Sequence, residues 1–394
     1  MLDIVKAKLR SGENMIHFRP SSLTSKNEIE AREVSIFRKL CEYLSIIKLD
    51  GKSNFLPKGV TTVSISELKR LNARKIGNAS YSFLLSYRYQ KHLQQRYLVL
   101  KIYGESLDPV LKKYVNNENF KRCLKEFQVL KGLESVDFPA PRALLCETDS
   151  NVIGNPFMIM QREEINPKSI FNINSFAKNL ATLHSLDVDK LGISALKAPK
   201  DTYEFAKECL IYLKLYLNLY PKHSRGLMKD FEFAIHWLES NVSNNSCPKY
   251  CLLHGDYRAR LNTILTKDGR MLVTDWEDAQ IGDSIYDVGV AYVRAQVDFG
   301  KKSADRFVQE YITHLDEDIS ERIDFYKIVA FLRLAVTHSS VLSAPLRAYE
   351  IRGTKALLLF PFLRLPLISK SAGTDLDVIW IENFKEFIEE NLRR

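Results

Sequence analysis

No two cysteines stand in a C-x-x-C pair. The six present, at 41, 123, 146, 209, 247 and 251, are too scattered for a disulfide framework, and a reducing cytoplasmic setting is expected. Cys247, Cys251 and His254 are near one another, but no second ligand cluster accompanies them, so zinc is not expected. Asp3, Lys6, Lys8 and Arg10 interrupt any apolar run at the start, so no secretory leader is expected there. The most apolar stretch, 356–368, is too short to span a bilayer and carries Pro361, Arg364 and Pro366. It is expected to be a packed segment, and no transmembrane segment is expected. Internal repeats, low-complexity tracts and an alternating strand–helix–strand pattern are also missing.

What is present is a chain of 394 residues, 45% hydrophobic and 27% charged. That suffices for a large core and for two or three domains or lobes, and it argues against wholesale disorder. The formal net charge of +9 favours anionic partners such as nucleotides or acidic metabolites. No recognition motif accompanies the charge, so nucleic acid is not an expected partner.

Residues 1–62 read as a helical N-terminal extension, with Ala31, Val34, Phe37, Cys41 and Leu44 on one apolar face. Residues 63–164 read as strand-rich: 71–76, 81–89 and 96–103 as strands, then a helix carrying Phe120, Leu124, Phe127 and Leu130, then the apolar strand 157–160. Residues 165–394 read as mainly helical, with Phe176, Leu180 and Leu183 on one face, helices at 203–219 and 227–241, and two short strands around 250–275. The fold class is α+β, a small antiparallel-sheet lobe followed by a larger helical one.

Chemistry concentrates in Cys251–Asp287, CLLHGDYRARLNTILTKDGRMLVTDWEDAQIGDSIYD. Two short strands joined by the Asp268-Gly269 turn bring Asp256, Asn262 and Asp275 to one end of a hairpin. Phosphoryl transfer needs such a grouping: one carboxylate to take the proton of the attacking hydroxyl, and oxygen ligands for Mg²⁺. Asp256 is read as the base, Asn262 and Asp275 as magnesium ligands, and Glu277 as a helper through a second ion or water.

This segment resembles the HGD…N…DWE signature of the aminoglycoside phosphotransferase and choline kinase-like superfamily. The resemblance spans roughly residues 70–300. It implies a protein-kinase-like two-lobed fold, ATP or GTP as co-substrate, and transfer of the γ-phosphate to a hydroxyl of a soluble metabolite or antibiotic-like compound. It places Gly77, Asn78 and Ser80 in the loop that covers the phosphates. Lys101, which interrupts the apolar strand Leu98-Val99-Leu100, resembles the phosphate-holding lysine of protein kinases, with Glu126 as its helical partner. Phe157–Glu163 resembles the hinge that binds the base, with Met160 and Phe157 lining the pocket. Asp287 is implied to tether the catalytic loop, and His184 to be structural. Tyr286, Tyr292, Arg294 and Asp298 are acceptor-site candidates by proximity alone. One departure stands out: five residues, not four, separate Asp256 from Asn262. If Leu261 took the ligand position, the alternative would be a catalytically weak nucleotide-binding pseudokinase. If the loop bulges, Asn262 keeps that position, and Arg258 and Arg260 flank the phosphate path.

Overall fold

The computed structural model of the protein describes residues 28–50, 55–71, 78–104, 119–166, 171–219, 225–315 and 319–334. The chain forms two compact units. One is Met1–Glu105, Glu118–Phe127 and Pro141–Glu163; the other is Ser106–Asn117, Gln128–Ala140 and Glu164–Arg394.

The first unit is built on an antiparallel sheet in the order β1-β2-β3-β5-β4, comprising Thr62–Arg70, Ala79–Tyr89, His92–Ile102, Phe157–Gln161 and Ala143–Glu147 in that spatial order. Helix α1 (Glu28–Asp50) buries Phe37, Leu40, Cys41 and Leu44, a three–four spacing that makes one continuous stripe. Phe37 meets Tyr81 and Phe83 edge-on at 5.6 and 6.3 Å, so the helix is part of this unit's core. The side chain of Ala31 lies outside the described residues.

The first strand is Thr62–Arg70, earlier than the 71–76 expected from sequence; 72–76 lie outside the described residues, as does Gly77. Val63 and Ile65 alternate inward, but a register shift between Ser66 and Lys69, with Glu67 at φ 53°, breaks the alternation that sequence reading relies on. The third strand begins at His92, before the expected Arg96, because the outer end of the β2–β3 hairpin is polar and exposed. Its turn residues, Gln90 and Lys91, both have positive φ, as a type I′ turn requires, without the usual Asn-Gly signal.

Helix α2 (Asn119–Ser135) buries Cys123, Glu126, Val129, Leu130 and Leu133, whereas Phe120 and Leu124 are exposed. The inward face is thus rotated from the expected one, because a buried ion pair at Glu126 turns the helix toward β3.

In the second unit, α3 (Ile173–Ser185) is capped by Asn172, whose side chain accepts from the N–H groups of Asn174 and Ser175. Helices α4 (Glu204–Leu219) and α5 (Arg225–Asn241) precede four short strands. β6 (Cys251–Leu253) pairs with β9 (Gln280–Gly282), and β7 (Thr263–Leu265) with β8 (Met271–Val273). Helices α6 (Ser284–Phe299) and α7 (Lys301–Ile312) follow, and residues 323–334 are helical. The segment 356–368 lies outside the described residues. Among the described residues no helix is long and apolar enough to cross a membrane.

If α1 belongs to the core, Phe37→Ala should lower stability by about 3–5 kcal/mol in urea unfolding. A loss below about 1 kcal/mol would show the helix to be peripheral.

Candidate active site

In the first unit, Lys101 and Glu126 form a buried ion pair. Nζ donates to both carboxylate oxygens, at 2.9 and 2.8 Å, and the Tyr103 hydroxyl donates to the same carboxylate at 2.7 Å. Ser80 is the cross-strand partner of Lys101 in the β2–β3 ladder. Arg122, on α2, donates to the Asn78 side-chain oxygen at 3.2 Å and to the Gly104 carbonyl at 3.1 Å, tying the start of β2 to the helix that carries Glu126. Met158 is the cross-strand partner of Lys101 on β5; Met160, two residues on, is half-buried.

In the second unit, the chain leaves β6 through His254-Gly255-Asp256. The buried carboxylate of Asp287, on α6, accepts the His254 N–H at 2.6 Å and the Gly255 N–H at 2.9 Å. His184 Nε2 lies 3.4 Å from it, and His184 Nδ1 pairs with the Tyr311 hydroxyl at 2.7 Å. His254 Nε2 donates to the Thr274 carbonyl at 2.9 Å, so Nδ1 is the acceptor for the Asp256 N–H at 3.2 Å. Gly255 has φ 84°, and a Cβ there would sit 2.3 Å from the Asp278 carbonyl oxygen, so only glycine fits.

The five-residue link between Asp256 and Asn262 closes with an i→i+4 turn. The Asn262 N–H donates to the Arg258 carbonyl at 3.3 Å and the Thr263 hydroxyl to that of Ala259. Tyr257 points into the core, stacked on Phe176 at 4.3 Å, its hydroxyl donating to the Phe176 carbonyl. Leu261 is turned out, 66% exposed, whereas Asn262 is buried beside Asp256 and donates Nδ2 to its carbonyl at 2.8 Å and its carboxylate at 3.3 Å. Asp275 is exposed, at φ 67° and ψ 60°, a left-handed conformation costly for a non-glycine residue. Trp276 locks the turn after it, donating Nε1 to the Val273 carbonyl at 2.9 Å and packing against His254 and Phe138.

Residues 89–326, more than half of the chain, match the model of the phosphotransferase enzyme family. The chain belongs to that family. It is a phosphotransferase enzyme, with the α+β, protein-kinase-like fold of the aminoglycoside phosphotransferases. Aminoglycoside phosphotransferase APH(4)-Ia, solved as a ternary complex with ADP and hygromycin B, superposes with a TM-score of 0.52 at 13% identity, covering 84% of this chain and 96% of that one. The GDP complex of aminoglycoside 2′-phosphotransferase-IIIa superposes with a TM-score of 0.50 at 16% identity, covering 90% and 99%. Among curated relatives, acyl-CoA dehydrogenase family member 11 of Rattus norvegicus is 27% identical over 178 residues, 42% of this chain and 22% of that protein. Family member 10 of Mus musculus is 27% identical over 187 residues, covering 42% and 16%. The chain thus spans about a fifth of the length of the curated relatives it matches.

Charge around Asp256 is strongly biased. Burial pushes the Asp256 carboxyl up, but the opposing charges of Arg258, Arg294 and Arg333 outweigh it and leave it below the ordinary carboxylate range. Arg258 is hydrogen-bonded directly to its Oδ2, and an Arg294 nitrogen lies 3.8 Å from Oδ1. Arg333 donates to the Gly255 carbonyl at 2.7 Å, to the Asp278 carboxylate at 2.9 Å and to the Tyr286 hydroxyl. Tyr286 is thereby buried structure, and Tyr292 donates to Asp305 at 3.1 Å.

Could this loop hold magnesium? Asn262 spends its amide N–H on Asp256 and leaves its side-chain oxygen without a hydrogen bond among the described residues, as a hard cation requires. Among the described residues no three His, Cys, Asp or Glu side chains converge as a self-sufficient metal cage. The donor set therefore suits an ion completed by phosphates and water, the usual habit of Mg²⁺. Cys247, Cys251 and His254 use their side chains on the carbonyls of Lys249, Gly282 and Thr274.

Tyr103, Arg122 and Arg333 escaped sequence reading. Arg333 had a readable signal, the one charge within the buried run 328–334. Tyr103 and Arg122 had none, because their partners are set by tertiary packing.

Removing one partner of a buried ion pair leaves the other unpaired. Lys101→Met should therefore cost about 3–5 kcal/mol of stability, and Lys101→Met with Glu126→Leu should cost less than the single change. Equal stability of single variant and wild type in chemical denaturation would contradict the pairing.

Proposed function

We propose that this phosphotransferase moves the γ-phosphoryl group of ATP or GTP to a hydroxyl of a soluble small molecule, using Mg²⁺. The observation that carries the reading is Asp256: a mostly buried, ionised carboxylate held beside Asn262 on a loop pinned by Asp287. The acceptor hydroxyl gives its proton to Asp256. Its oxygen forms a bond to the γ-phosphorus as the bond from that phosphorus to the β–γ bridging oxygen breaks, and the nucleoside diphosphate leaves with that electron pair. Arg258, now on the Asp256 carboxylate, stands ready for the charge of the transferred group.

In the first unit, Lys101, fixed by Glu126 and Tyr103, would hold the α- and β-phosphates. Gly77, Asn78 and Ser80 would cover them, and the β5 backbone near Met160 would take the base. Asn262 and Asp275, with Glu277 in support, would hold Mg²⁺, which neutralises charge on the phosphates when bound. The outward Leu261 and inward Asn262 favour an active enzyme over a pseudokinase. The ADP, AMP-PNP and GDP complexes of the structural neighbours support a nucleotide co-substrate.

Mg-ATP or Mg-GTP should raise the melting temperature, by roughly 2.7 kcal/mol of stabilisation at a hundred times Kd; no shift with either at millimolar concentration would count against the reading. Asp256→Asn should lower turnover about 10²- to 10⁴-fold while that thermal shift persists; wild-type turnover would remove Asp256 from the role of base. The pH profile gives a third check. With its pKa depressed, Asp256 is a competent base above the ordinary carboxylate range and loses activity only as pH falls through the lower value. Arg258→Gln removes the largest opposing charge, so burial should then shift the acid limb of kcat/KM upward; an unmoved limb would contradict the electrostatics.

A further inference from the structure

The guanidinium of Arg294 is not anchored by a hydrogen bond among the described residues. It projects from α6 toward Asp256, and its side chain is 20% exposed. Its Nε is fully buried and finds no hydrogen-bond partner, and among the described residues the group makes no hydrogen bond at all. A buried, unsatisfied donor on a charged group is expensive to keep. The 3.8 Å approach to Asp256 Oδ1 does not satisfy it, because that separation is beyond hydrogen-bond distance.

The local charge balance points the same way. Arg333 is matched by Asp278. That leaves Arg258, Arg260 and Arg294 against Asp256 and Asp298, whose mutual electrostatic influence places them in one neighbourhood. Burial, then the like charge of Arg258, lower the Arg294 pKa, which registers a cation short of counter-charge.

The geometry points to an acceptor that carries its own oxyanion: we propose that Arg294 receives a carboxylate or phosphate of the same small molecule whose hydroxyl Asp256 activates. This rests on the kinase reading above and adds the charge class of its acceptor. Guanidinium offers two parallel N–H groups to a planar or tetrahedral oxyanion. The short separation of Arg294 from Asp256 sets hydroxyl and oxyanion close together on the acceptor, as in a hydroxycarboxylate or a short hydroxyalkyl phosphate.

The test uses acceptors on one skeleton: glycerate, glycerol 3-phosphate, glycerol and 3-amino-1,2-propanediol, with broader sets of each charge class, incubated with Mg²⁺ and γ-labelled ATP or GTP. Label should pass to anionic acceptors in preference to neutral or cationic ones, and the first two compounds separate carboxylate from phosphate. Arg294→Gln should raise KM for the anionic acceptor about tenfold or more and move KM for the nucleotide less than twofold. Arg294→Lys should recover part of the loss. If Arg294 merely tuned Asp256, the Gln variant would lower kcat on every acceptor alike and leave KM unchanged, and the proposal would fall. Preference for cationic or neutral acceptors, or no labelled acceptor in any class, would overturn it too. The melting-temperature shift with Mg-nucleotide reports separately on the kinase reading, which survives those outcomes if the shift is present.

Discussion

Two backbone N–H groups, those of His254 and Gly255, point at one buried carboxylate, and the second unit's chemistry is arranged around that contact. Asp287 sits in the first turn of α6 with no exposure to solvent. An ionised acceptor bound by N–H donors fixes the chain more firmly than a neutral one. With His254 and Gly255 held, the His254 ring spans to the Thr274 carbonyl, and Asp256 leaves the strand in one direction only. The glycine between them is forced by the Asp278 carbonyl, and Arg333 closes the ring by binding the Gly255 carbonyl and Asp278 together. The site is thus a set of short polar links around a tether, not a surface on a rigid core.

The Lys101–Glu126 pair plays the comparable part in the first unit. A strand of apolar residues carries one lysine inward, and a helix turns its carboxylate to meet it. Burial of both charges is tolerated because Tyr103 adds a third hydrogen bond to the carboxylate. The same demand turns α2 so that Phe120 and Leu124 face out.

Much of this was legible in the sequence because charge inside an apolar run is a strong signal. Lys101 in its strand, and His254-Gly255-Asp256 after Leu252-Leu253, stand out without any structure. The two-unit α+β order and the helices near 203–219 and 227–241 follow from periodicity, and the observed bounds agree to within a few residues. What stayed hidden was set by contacts distant in sequence or by backbone conformation. The bulge at Ser66–Lys69 erased the alternation of β1, and α2 is oriented by an ion pair rather than by its largest apolar residues. The left-handed Asp275 carries no mark in its side chain. Arg294 could be named only by proximity, since its unsatisfied Nε is a property of packing.

The proposed chemistry requires the longer loop between Asp256 and Asn262 to present a metal ligand. An extra residue in a paired strand would reverse every side chain after it, whereas one in a turn is absorbed at little cost. Here the turn takes it and the β7–β8 register stays intact. Electron paramagnetic resonance of Mn²⁺, as a stand-in for Mg²⁺, tests this directly when titrated with nucleotide. The account predicts nucleotide-dependent Mn²⁺ binding that is weakened at least tenfold by Asn262→Leu and unaffected by Leu261→Ala. Undiminished Mn²⁺ binding in Asn262→Leu, with loss in Leu261→Ala, would contradict it.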